Sequence, residues 1–596
     1  MRRQHLLRRN KGCETVHDAV WCDTETLPDP MPGGGERHRL NFGYACYRRS
    51  PRPDQWTSPL WARFETVDEF WDWIEDRLHG KCKLYIFAHN WAFDFPVLNG
   101  FNVLPDRGWG LVSSVIESPP IILKYRRNKQ TICIVDTLNI WRMSLAKLGK
   151  SIGLPKLEMP AFGAPADEWN IYAHRDVEII MEACMKWWTF LRVNDLGGFA
   201  PTLAAQAFRT FRHRFMTHDI MIDNHAIGLP LARSAVHGGR TEAFYIGKVP
   251  ETIYKLDINS MYPAIMQAEE MPTKIIGAYK NVTHEELSRW VSRYSVVAEC
   301  RLHTPEPCYG MVHGNRLVFP VGEFAAPLCT PELEYALEHD HIESIALAAV
   351  YEREPIFRNY VEWFYPYRLT CKEKGDDVAA DNAKLLLNSL YGKTGQRGIV
   401  YRKIDDTPDM ECAQWLEVDA ETNEVRRYRQ YGGIIEQRDE SPESRDSHPA
   451  IAAHVTAYAR MRLWRLMLVA ERQNIYYCDT DSLWVNEVGY RNLSPYLHET
   501  ELGKLKLEGI HDDVEIRGAK DYTIDGKTRI KGIRAKARQL GRNIYEQEKF
   551  SSIKGLLRMG DLTAPVVTTQ RKTLTRIYSK GRVTESGRVE PLFLDL

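Results

Sequence analysis

Short apolar runs alternate with amphipathic segments over residues 15–195. The apolar runs have the length of β-strands, and the segments between them have the periodicity of helices. Strands interleaved with helices predict an α/β domain, which the glycine-containing segment 194–201 would end. The predicted strands are 19–26, 83–90 and 131–138, and the predicted helices include 67–78 and 175–191.

A second pattern of strands and helices begins near residue 250. It has a strand at 252–259, a long helix that ends at 387–395, and a strand–turn–strand pattern at 475–485. Residues 397–448 are polar and rich in charge, and they predict an insertion that protrudes from this second region. We therefore expect an α/β region followed by α+β regions. A length of 596 residues suggests about three to five packed units.

Composition places the chain among soluble globular proteins. Hydrophobic residues make up 44% and charged residues 27%, and 79 Lys and Arg balance 79 Asp and Glu, which excludes disordered and fibrous classes. The charge is unevenly distributed, because residues 526–596 contain 16 Lys or Arg and 6 Asp or Glu. A basic segment beside acidic pockets fits a metal-using enzyme of nucleic acids, and a solvated charged face is the alternative.

Cysteine usage and hydropathy predict the location. The twelve cysteines form no C-x-x-C pair and show no zinc-ligand spacing, and Cys22, Cys133 and Cys478 lie within apolar runs, as buried thiols do. We therefore expect a reducing, cytoplasmic location. The basic N-terminal segment lacks the apolar stretch of a signal peptide, and no apolar run reaches the ~18 residues of a membrane span. A soluble protein without a membrane partner follows.

The strongest local motif is YCDTDS at 477–482, where apolar runs on both sides predict a hairpin. Asp479 and Asp481 then lie at its turn as a carboxylate pair that suits a divalent metal. Asp257 in YKLDINSMYP provides a third carboxylate from another strand. Two-metal nucleotidyl transfer uses carboxylates in this way, so Asp257 and Asp481 are the predicted bridging ligands and Asp479 a secondary one. Ordinary capping of a turn is the alternative.

The helix that contains KLLLNSLYGK carries a polar stripe. Lys384, Asn388 and Tyr391 have the spacing of one helical face, which suits a phosphate and an adjacent base or sugar. Arg368 and Lys372, four residues apart before a GDD breaker, are candidates for a second phosphate clamp. For both sets the alternative is a solvated helix face with incidental polar residues.

A second acidic set lies in the predicted α/β domain. Asp23 and Glu25 are two residues apart on a strand, and Asp94 and Asp176 follow on separate elements. Four carboxylates arranged in this order predict a two-metal phosphodiesterase site, in which Tyr172, one helical turn before Asp176, orients the attacking water. Taken singly, each acid is more simply a solvated side chain or a helix cap.

Six of these motifs occur in the order of a known family. DINSMYP, KLLLNSLYG and YCDTDS resemble motifs A, B and C of the family B DNA polymerases. DTE, NWAFD and YAHRD resemble the ExoI, ExoII and ExoIII motifs of the 3′→5′ proofreading domain in the same family. The resemblance covers residues 20–525. Because large segments lie on either side of motif B, the chain is most similar to the protein-primed branch of phages and linear plasmids.

This resemblance implies an N-terminal RNase H-like 3′→5′ exonuclease domain followed by a right-hand polymerase with palm, fingers and thumb. The segments on either side of motif B occupy the places of the branch's terminal-protein regions, the first contacting a priming protein and the second encircling DNA for processivity. The implied boundaries are 1–195 for the exonuclease, 196–266 and 449–525 for the palm, 267–355 and 398–448 for the segments resembling terminal-protein regions 1 and 2, 356–397 for the fingers and 526–596 for the thumb.

The resemblance also implies roles for single residues around the incoming nucleotide. Tyr262 would stack beneath the sugar as a gate against a 2′-hydroxyl, Ser260 would lie near the triphosphate, and the backbone of Ile258 would join the metal ligands. The implied nucleotide-binding set is completed by Arg368, Lys372, Lys384, Asn388 and Tyr391.

The implied DNA contacts include one departure from the family pattern. HGGR at 237–240 stands where the family has YxGG, but the position of the tyrosine is Val236, so coupling between synthesis and proofreading is the weaker expectation. AKDYT at 519–523 resembles the branch's KxY element at the primer terminus. The implied contacts are Asn90, Phe93, Thr137 and Leu138 in the exonuclease, and Gly238, Gly239, Lys520 and Tyr522 elsewhere.

Two Mg²⁺ ions per active site are the implied cofactors, with Mn²⁺ as a substitute. The implied partners of a monomeric enzyme are primer-template DNA, dNTPs, a terminal priming protein and a single-strand-binding protein, in the host cytoplasm if the chain is viral. Three alternatives stay open: the same fold with a nucleic-acid primer or self-priming, an RNA-templated or ribonucleotide polymerase, and a replication factor that binds nucleic acid without catalysis.

Overall fold

The N-terminal region forms a mixed β-sheet flanked by helices. The computed structural model describes residues 3–32, 34–52, 55–117, 119–161, 163–398, 401–439 and 443–595. Strand Asp18–Pro30 pairs parallel with Lys83–Ala88, which in turn pairs parallel with Gln130–Asp136. Other elements are strands His5–Leu7, Glu36–Arg49, Leu60–Phe64, Gly110–Ile116 and Ile121–Arg127, and helices Val67–Glu75, Trp91–Val97, Gly100–Asp106, Leu145–Ser151 and Ala166–Val193.

Burial on both faces explains why the parallel strands are apolar. Val20, Trp21 and Cys22 are fully buried in the first strand, as are Leu84 and Ile86 in its neighbour. Because helices cover parallel sheets on both sides, such strands read as continuous apolar runs. The predicted α/β domain is therefore confirmed.

A central antiparallel sheet follows, and it contains the predicted hairpin. Its strands lie in the order Thr241–Ala243, Ile475–Asp479, Ser482–Val485, Ile253–Ile258 and Leu505–His511. The helix Pro449–Ala470 packs nearby with most of its residues buried. Helices Leu203–Thr210, Phe211–Phe215, Gly228–Ser234, Met261–Ala268 and Glu487–Leu493 and strand Ile220–Ile222 surround this sheet.

In the sequence, two units directly follow strand Ile253–Ile258 and helix Met261–Ala268 of the central region. The first inserted sheet consists of Met271–Val282, Ile342–Glu354, Ser295–Thr304, Val321–Cys329 and the strand Phe593–Asp595, with helices His284–Val291 and Thr330–Glu338. The helical hairpin consists of Arg358–Glu373 and Asp377–Thr394. Its turn is fixed by Gly375, at φ +73°, and by the Asp376 side chain, which accepts a hydrogen bond from the Ala379 amide at 3.0 Å.

The predicted insertion forms a sheet of its own, the second inserted sheet, but it does not simply protrude. Its strands are Tyr401–Asp406, Ile434–Arg438, Val425–Tyr431 and Ala413–Val418. Buried Tyr431 packs 5.7 Å from Phe101 of the N-terminal region, and its hydroxyl lies 2.6 Å from Ser114 Oγ. Strands Tyr401–Asp406 and Ala413–Val418 are mostly exposed, as expected of a protruding insertion. The contact with the N-terminal region was not predicted, because single apolar residues on a polar strand give no sequence signal of a packing partner. Residues 399–400 and 440–442 of this insertion lie outside the described part of the chain.

The C-terminal strands extend the N-terminal sheet. Strands Arg538–Gly541, Ile544–Phe550 and Val566–Thr573 form its edge, where Val566 and Val567 pair with Arg37 and Glu36. Strands Val514–Gly518, Asp521–Ile524 and Lys527–Ile530 form a separate sheet with Gly247–Lys248. Helix Ile553–Met559 and the short strands Gly581–Val583 and Val589–Pro591 complete this part. Among the helices of the described ranges, none combines the length and apolar character needed to cross a bilayer.

Candidate catalytic sites

Asp257 and Asp481 converge where two neighbouring strands of the central sheet meet the hairpin turn. Asp257 pairs in register with Ser482, and the amide of Ile258 donates to the Asp481 carbonyl at 2.8 Å. Burial, with the nearby Asp481 carboxylate, raises the pKa of Asp257 to about 7. Burial also raises the pKa of Asp481. Buried acids that repel each other are a natural place for a cation.

The turn itself depends on close backbone contacts. Thr480 has a φ of 62°, and its amide donates to the Arg240 carbonyl at 2.6 Å. A Cβ on Gly239 would meet Thr480 Cγ2 at 2.7 Å, whereas the Gly238 carbonyl accepts a hydrogen bond from Arg460 at 3.2 Å. The structure thus places Gly239 against the acidic turn, while Gly238 contacts the helix that carries Arg460.

Asp479 is held differently from the other two acids. Lys520 Nζ contacts its two carboxylate oxygens at 2.9 and 2.8 Å, and Thr241 Oγ1 donates to it at 2.9 Å. The Lys520 amide donates to Tyr477 Oη, and Tyr522 packs against Trp484 with ring centroids 4.8 Å apart. A lysine already compensates the charge of Asp479, which agrees with the predicted secondary role of this residue.

Glu508 is a fourth acid that the sequence analysis missed. It lies on strand Leu505–His511 beside the Asp257 strand, and its carboxylate pairs with Lys255 Nζ at 2.5 Å. Its charge contributes to the raised pKa values of Asp257 and Asp481. A single glutamate in a charge-rich strand has no distinguishing spacing, and only the pairing of the strands brings it to the site.

Tyr262 and Tyr391 form an aromatic pair next to the acids. Their ring centroids are 4.5 Å apart, although one lies on helix Met261–Ala268 and the other on the helical hairpin. Ser260, at φ 51°, is the residue on which the first of these helices begins. Burial raises the pKa of Tyr262, so the phenol stays neutral. The pair forms an apolar wall beside the carboxylates.

Basic side chains gather on the helical hairpin. The positive charge of Arg368 is the largest cause of a lowered pKa at Lys372, and burial and the charge of Lys384 add to it. These three cations therefore lie close together. Arg368 Nε is buried and has no hydrogen-bond partner among the described residues. Lys384 and Asn388 line a cleft between the hairpin and Trp141 of the N-terminal region. Mutually repelling cations with an unsatisfied donor form a site for an anion such as phosphate.

The four acids predicted in the N-terminal region come together. Oxygens of Asp23, Glu25 and Asp176 lie within 4.8 Å of one another. Asp94 accepts hydrogen bonds from the Thr24 hydroxyl at 2.7 Å and amide at 3.2 Å. Burial raises the pKa values of Glu25 and Asp94 to about 7, and burial with the charge of Asp94 raises that of Asp23. Asp176 Oδ1 is buried without a hydrogen-bond partner in the described part of the chain.

Lys156 belongs to this cluster and was missed by the sequence analysis. Its ammonium group forms an ion pair with Asp176 and lies 4.2 Å from the centre of the Tyr172 ring. The residue lies in an irregular segment before helix Ala166–Val193, where no periodicity or spacing marks it. Tyr172 is therefore positioned by a cation as well as by its helix.

The predicted DNA contacts of this region differ in exposure. Asn90, at φ 92°, precedes helix Trp91–Val97, and half-buried Phe93 packs 5.4 Å from His38. Leu138 is half-buried. Thr137 is 1% exposed and its hydroxyl donates to the Ala88 carbonyl at 3.0 Å, so it lies beneath the site surface and supports the loop.

Asp136 is a further supporting residue without a sequence signal of its own. Its buried carboxylate accepts hydrogen bonds from the amides of Asn90 and Trp91 at 3.0 Å and from that of Leu138 at 2.9 Å. Three backbone donors compensate the charge of this acid. It therefore fixes the loops that carry Asn90 and Leu138.

Without divalent cations, we expect the melting temperature to fall as the pH rises from 6.5 to 8. Glu25, Asp94 and Asp257 have folded pKa values of about 7, whereas unfolded acids titrate near pH 4. The folded state therefore holds more protons in this window and loses stability as the pH rises. Thermal denaturation in EDTA measures this, and added Mg²⁺ should reverse it at pH 8.

The variant Asp23→Asn should have a flatter pH profile in EDTA because it removes one buried repelling carboxylate. The exposed Glu421→Gln serves as the control and should follow the parent protein. A parent melting temperature that rises steadily from pH 6.5 to 8 in EDTA would contradict the assignment of these raised pKa values.

Comparison with known proteins places this arrangement in a family. The family model for type B DNA polymerases, organellar and viral, matches residues 166–463. The chain is 26% identical over 319 residues to a probable DNA polymerase of Ascobolus immersus, covering 52% of this chain and 25% of the relative. It is 28% identical over 295 residues to the DNA-directed DNA polymerase of Enterobacteria phage PRD1, covering 48% and 49%. The chain thus spans half or less of these curated relatives.

A relative from Bacillus phage phi29 covers more of the chain. The DNA polymerase of Bacillus phage phi29 is 22% identical over 466 residues, covering 70% of this chain and 73% of the relative. The structure of phi29 DNA polymerase with primer-template DNA superposes with a TM-score of 0.66 at 17% identity, covering 94% of this chain and 100% of the other. The predicted fold and the likeness to the protein-primed phage branch are confirmed. With a family match over half of its residues, the chain belongs to the organellar and viral type B DNA polymerases.

Proposed function

We propose that the chain is a DNA-directed DNA polymerase with a 3′→5′ proofreading exonuclease. One observation carries this proposal: Asp257 and Asp481 meet on neighbouring strands beside the Tyr262–Tyr391 wall and near the basic side chains of the helical hairpin. An acidic centre flanked by an apolar wall and a phosphate-binding cluster has the chemical requirements of nucleotidyl transfer.

The regions of the fold receive the corresponding names. The N-terminal sheet belongs to the exonuclease, residues 1–195. The central sheet belongs to the palm, residues 196–266 and 449–525. The helical hairpin forms the fingers, residues 356–397. The C-terminal strands of 526–596 form the thumb. The first and second inserted sheets correspond to the two terminal-protein regions at 267–355 and 398–448.

Both acidic clusters fit divalent cations. In each, half-buried carboxylates lie near one another and have raised pKa values, and in the exonuclease a buried oxygen of Asp176 has no protein partner among the described residues. Asp257, Asp481 and the Ile258 backbone would hold the ions of the palm, and Asp23, Glu25, Asp94 and Asp176 those of the exonuclease. When bound, Mg²⁺ lowers the pKa of a coordinated nucleophile and neutralises phosphate charge.

The side chains around the palm acids bind and orient the nucleotide. Lys372, Lys384 and Arg368 supply the positive charge for a triphosphate, and Asn388 lies one helical turn from Lys384 to line the pocket. Tyr262 limits the room beneath the sugar. Lys520 neutralises Asp479 and, with Tyr522, faces the primer end of the site.

In the exonuclease, Lys156 fixes Asp176 and Tyr172 lies beside it to orient a water molecule. Phe93 and Asn90 border the cluster and would hold a frayed primer end by stacking and polar contact. Mispaired ends fray more readily, which gives the nuclease its preference for errors.

A primer-extension experiment tests the proposed function and the priming mode together. The full chain receives labelled dNTPs and Mg²⁺ with primed, unprimed or protein-capped templates. Extension of the primed template establishes the polymerase, and label attached covalently to protein establishes terminal-protein priming. Extension from the nucleic-acid primer alone would remove protein priming from the proposal, and no incorporation on any template would contradict the polymerase itself.

Tyr262→Val should relax discrimination against ribonucleotides. The valine side chain ends short of the phenol ring, which leaves space for a 2′-hydroxyl, so the ratio of kcat/KM for dNTP over rNTP should fall by at least about tenfold, or ~1.4 kcal/mol. Tyr391→Phe is the matched control, because it keeps the aromatic pair and removes only a hydroxyl. An unchanged ratio for Tyr262→Val would exclude Tyr262 from the gate.

A further inference from the structure

A mixed cluster of Asp, His and Cys lies where two neighbouring interior strands of the N-terminal sheet begin, away from both acidic sites. Ligand atoms of Asp18, His79 and Cys82 are all within 4.8 Å of one another. Asp18 begins the strand that carries Asp23, so the two lie about 17 Å apart along an extended chain. The cluster therefore lies outside the proposed exonuclease site.

Strand pairing explains why these distant residues meet. His79 and Cys82 lie on the turn that leads into strand Lys83–Ala88, and Leu84 of that strand pairs in register with Asp18. The Cys82 amide donates to the His79 carbonyl at 2.9 Å, which closes the turn around both ligands. A turn of the form His-x-x-Cys brings an imidazole and a thiol together as the chelating turns of zinc sites do.

The outer atoms of two of these residues are already engaged. Tyr47 Oη donates to Asp18 Oδ1 at 2.7 Å, and His79 Nδ1 lies 3.3 Å from the Arg77 carbonyl. Donation to that carbonyl leaves Nε2 of His79 with a free lone pair. Histidines and carboxylates that bind metals are held by outer contacts of this kind.

We propose that Asp18, His79 and Cys82 bind one zinc-type divalent cation. Zinc–ligand distances of about 2.0–2.3 Å require ligand atoms about 3.4–3.8 Å apart, so the cluster needs a small contraction. His79 is exposed and free to supply it. The cleft beside the cluster, which His17 and Lys81 also line, leaves room for water as a fourth ligand.

Ligand chemistry separates this site from the carboxylate sites. A thiolate and an imidazole favour Zn²⁺ or Co²⁺ over Mg²⁺, whereas sites of oxygen ligands alone favour Mg²⁺. The sequence analysis considered the spacing of the cysteines alone, whereas the proposed ligand set combines one cysteine with His and Asp. The bound ion would fasten the start of the Asp23 strand to the turn of its neighbour.

Cobalt binding by the full chain tests the proposal. After treatment with chelator, Co²⁺ should bind in one equivalent with a thiolate-to-cobalt charge-transfer band, which the carboxylate sites cannot produce because they contain no thiol. Excess Mg²⁺ should leave the band unchanged, and Zn²⁺ should abolish it. Binding should strengthen with pH, because the metal must displace the thiol proton.

Variants decide whether the band comes from this site. Cys82→Ser should abolish it, and His79→Gln, at an exposed position that folding does not require, should weaken Co²⁺ binding by at least about tenfold. Cys13→Ser, at a thiol in the same cleft, and Cys308→Ser, at a buried thiol near His341, should keep the band. Absence of the band in the parent protein, or its survival in Cys82→Ser and His79→Gln, would overturn the proposal.

Discussion

Replacing Asp481 with asparagine should reduce nucleotide incorporation by about 10³-fold or more, while degradation of single-stranded DNA stays at the parent level. The substitution keeps the size of the side chain but removes a charge that, with Asp257, would hold the ions of the palm. Asp23 and Glu25 lie on a different sheet, and Asp94 and Asp176 lie on helices of the N-terminal region, so degradation should be unaffected. Single-nucleotide incorporation on a primed template and release of labelled 3′ nucleotides measure the two activities.

Glu508→Gln is an informative partner for this variant. Glu508 lies next to Asp257 but already pairs with Lys255, so its loss should cost less than the loss of Asp481. An Asp481→Asn protein that loses exonuclease activity to the same degree, with an unchanged melting temperature, would contradict the separation of the two sites.

The double variant Asp23→Ala and Glu25→Ala should have the opposite effect. The double variant removes two carboxylates of the cluster formed with Asp176, in which the oxygens lie within 4.8 Å of one another. We therefore expect 3′→5′ degradation to fall by about 10³-fold or more. Extension of a correctly paired primer should stay near the parent rate. Because buried repelling acids are removed, the variant should also melt no lower than the parent protein in EDTA at pH 8.

The control for the exonuclease variant is a change outside the cluster on the same strand. Asp29→Asn lies near the exposed end of strand Asp18–Pro30 and should keep both activities. Degradation that persists in the purified double variant would remove Asp23 and Glu25 from the site. Equal loss of primer extension would show that the two regions do not act independently.

Sequence patterns predicted those parts of the sites that depend on local structure. The hairpin with Asp479 and Asp481 follows from apolar runs on both sides of a turn, and the common face of Lys384 and Asn388 follows from helical spacing. Such patterns are set by residues close together in the chain. They identify acids and cations as candidates, but they do not give distances between separate elements.

Residues that arrive through strand pairing or irregular segments left no such signal. Lys156 comes from a loop and Glu508 from a neighbouring strand, and each looks like any other surface charge in the sequence. The packing of Tyr431 against Phe101 is also a contact between distant segments. The contact between the insertion and the N-terminal region was missed for this reason, whereas the order of strands and helices was predicted.

The pairing of Val566 and Val567 with Arg37 and Glu36 has a consequence for engineering. A single sheet passes from the N-terminal region into the C-terminal strands, so the two are not modules that can be cut apart. Trimming the N-terminal region would leave an unpaired edge on the C-terminal strands, which invites association between molecules. A nuclease-free enzyme for DNA amplification would therefore need to be made by point substitution, with the shared sheet left whole.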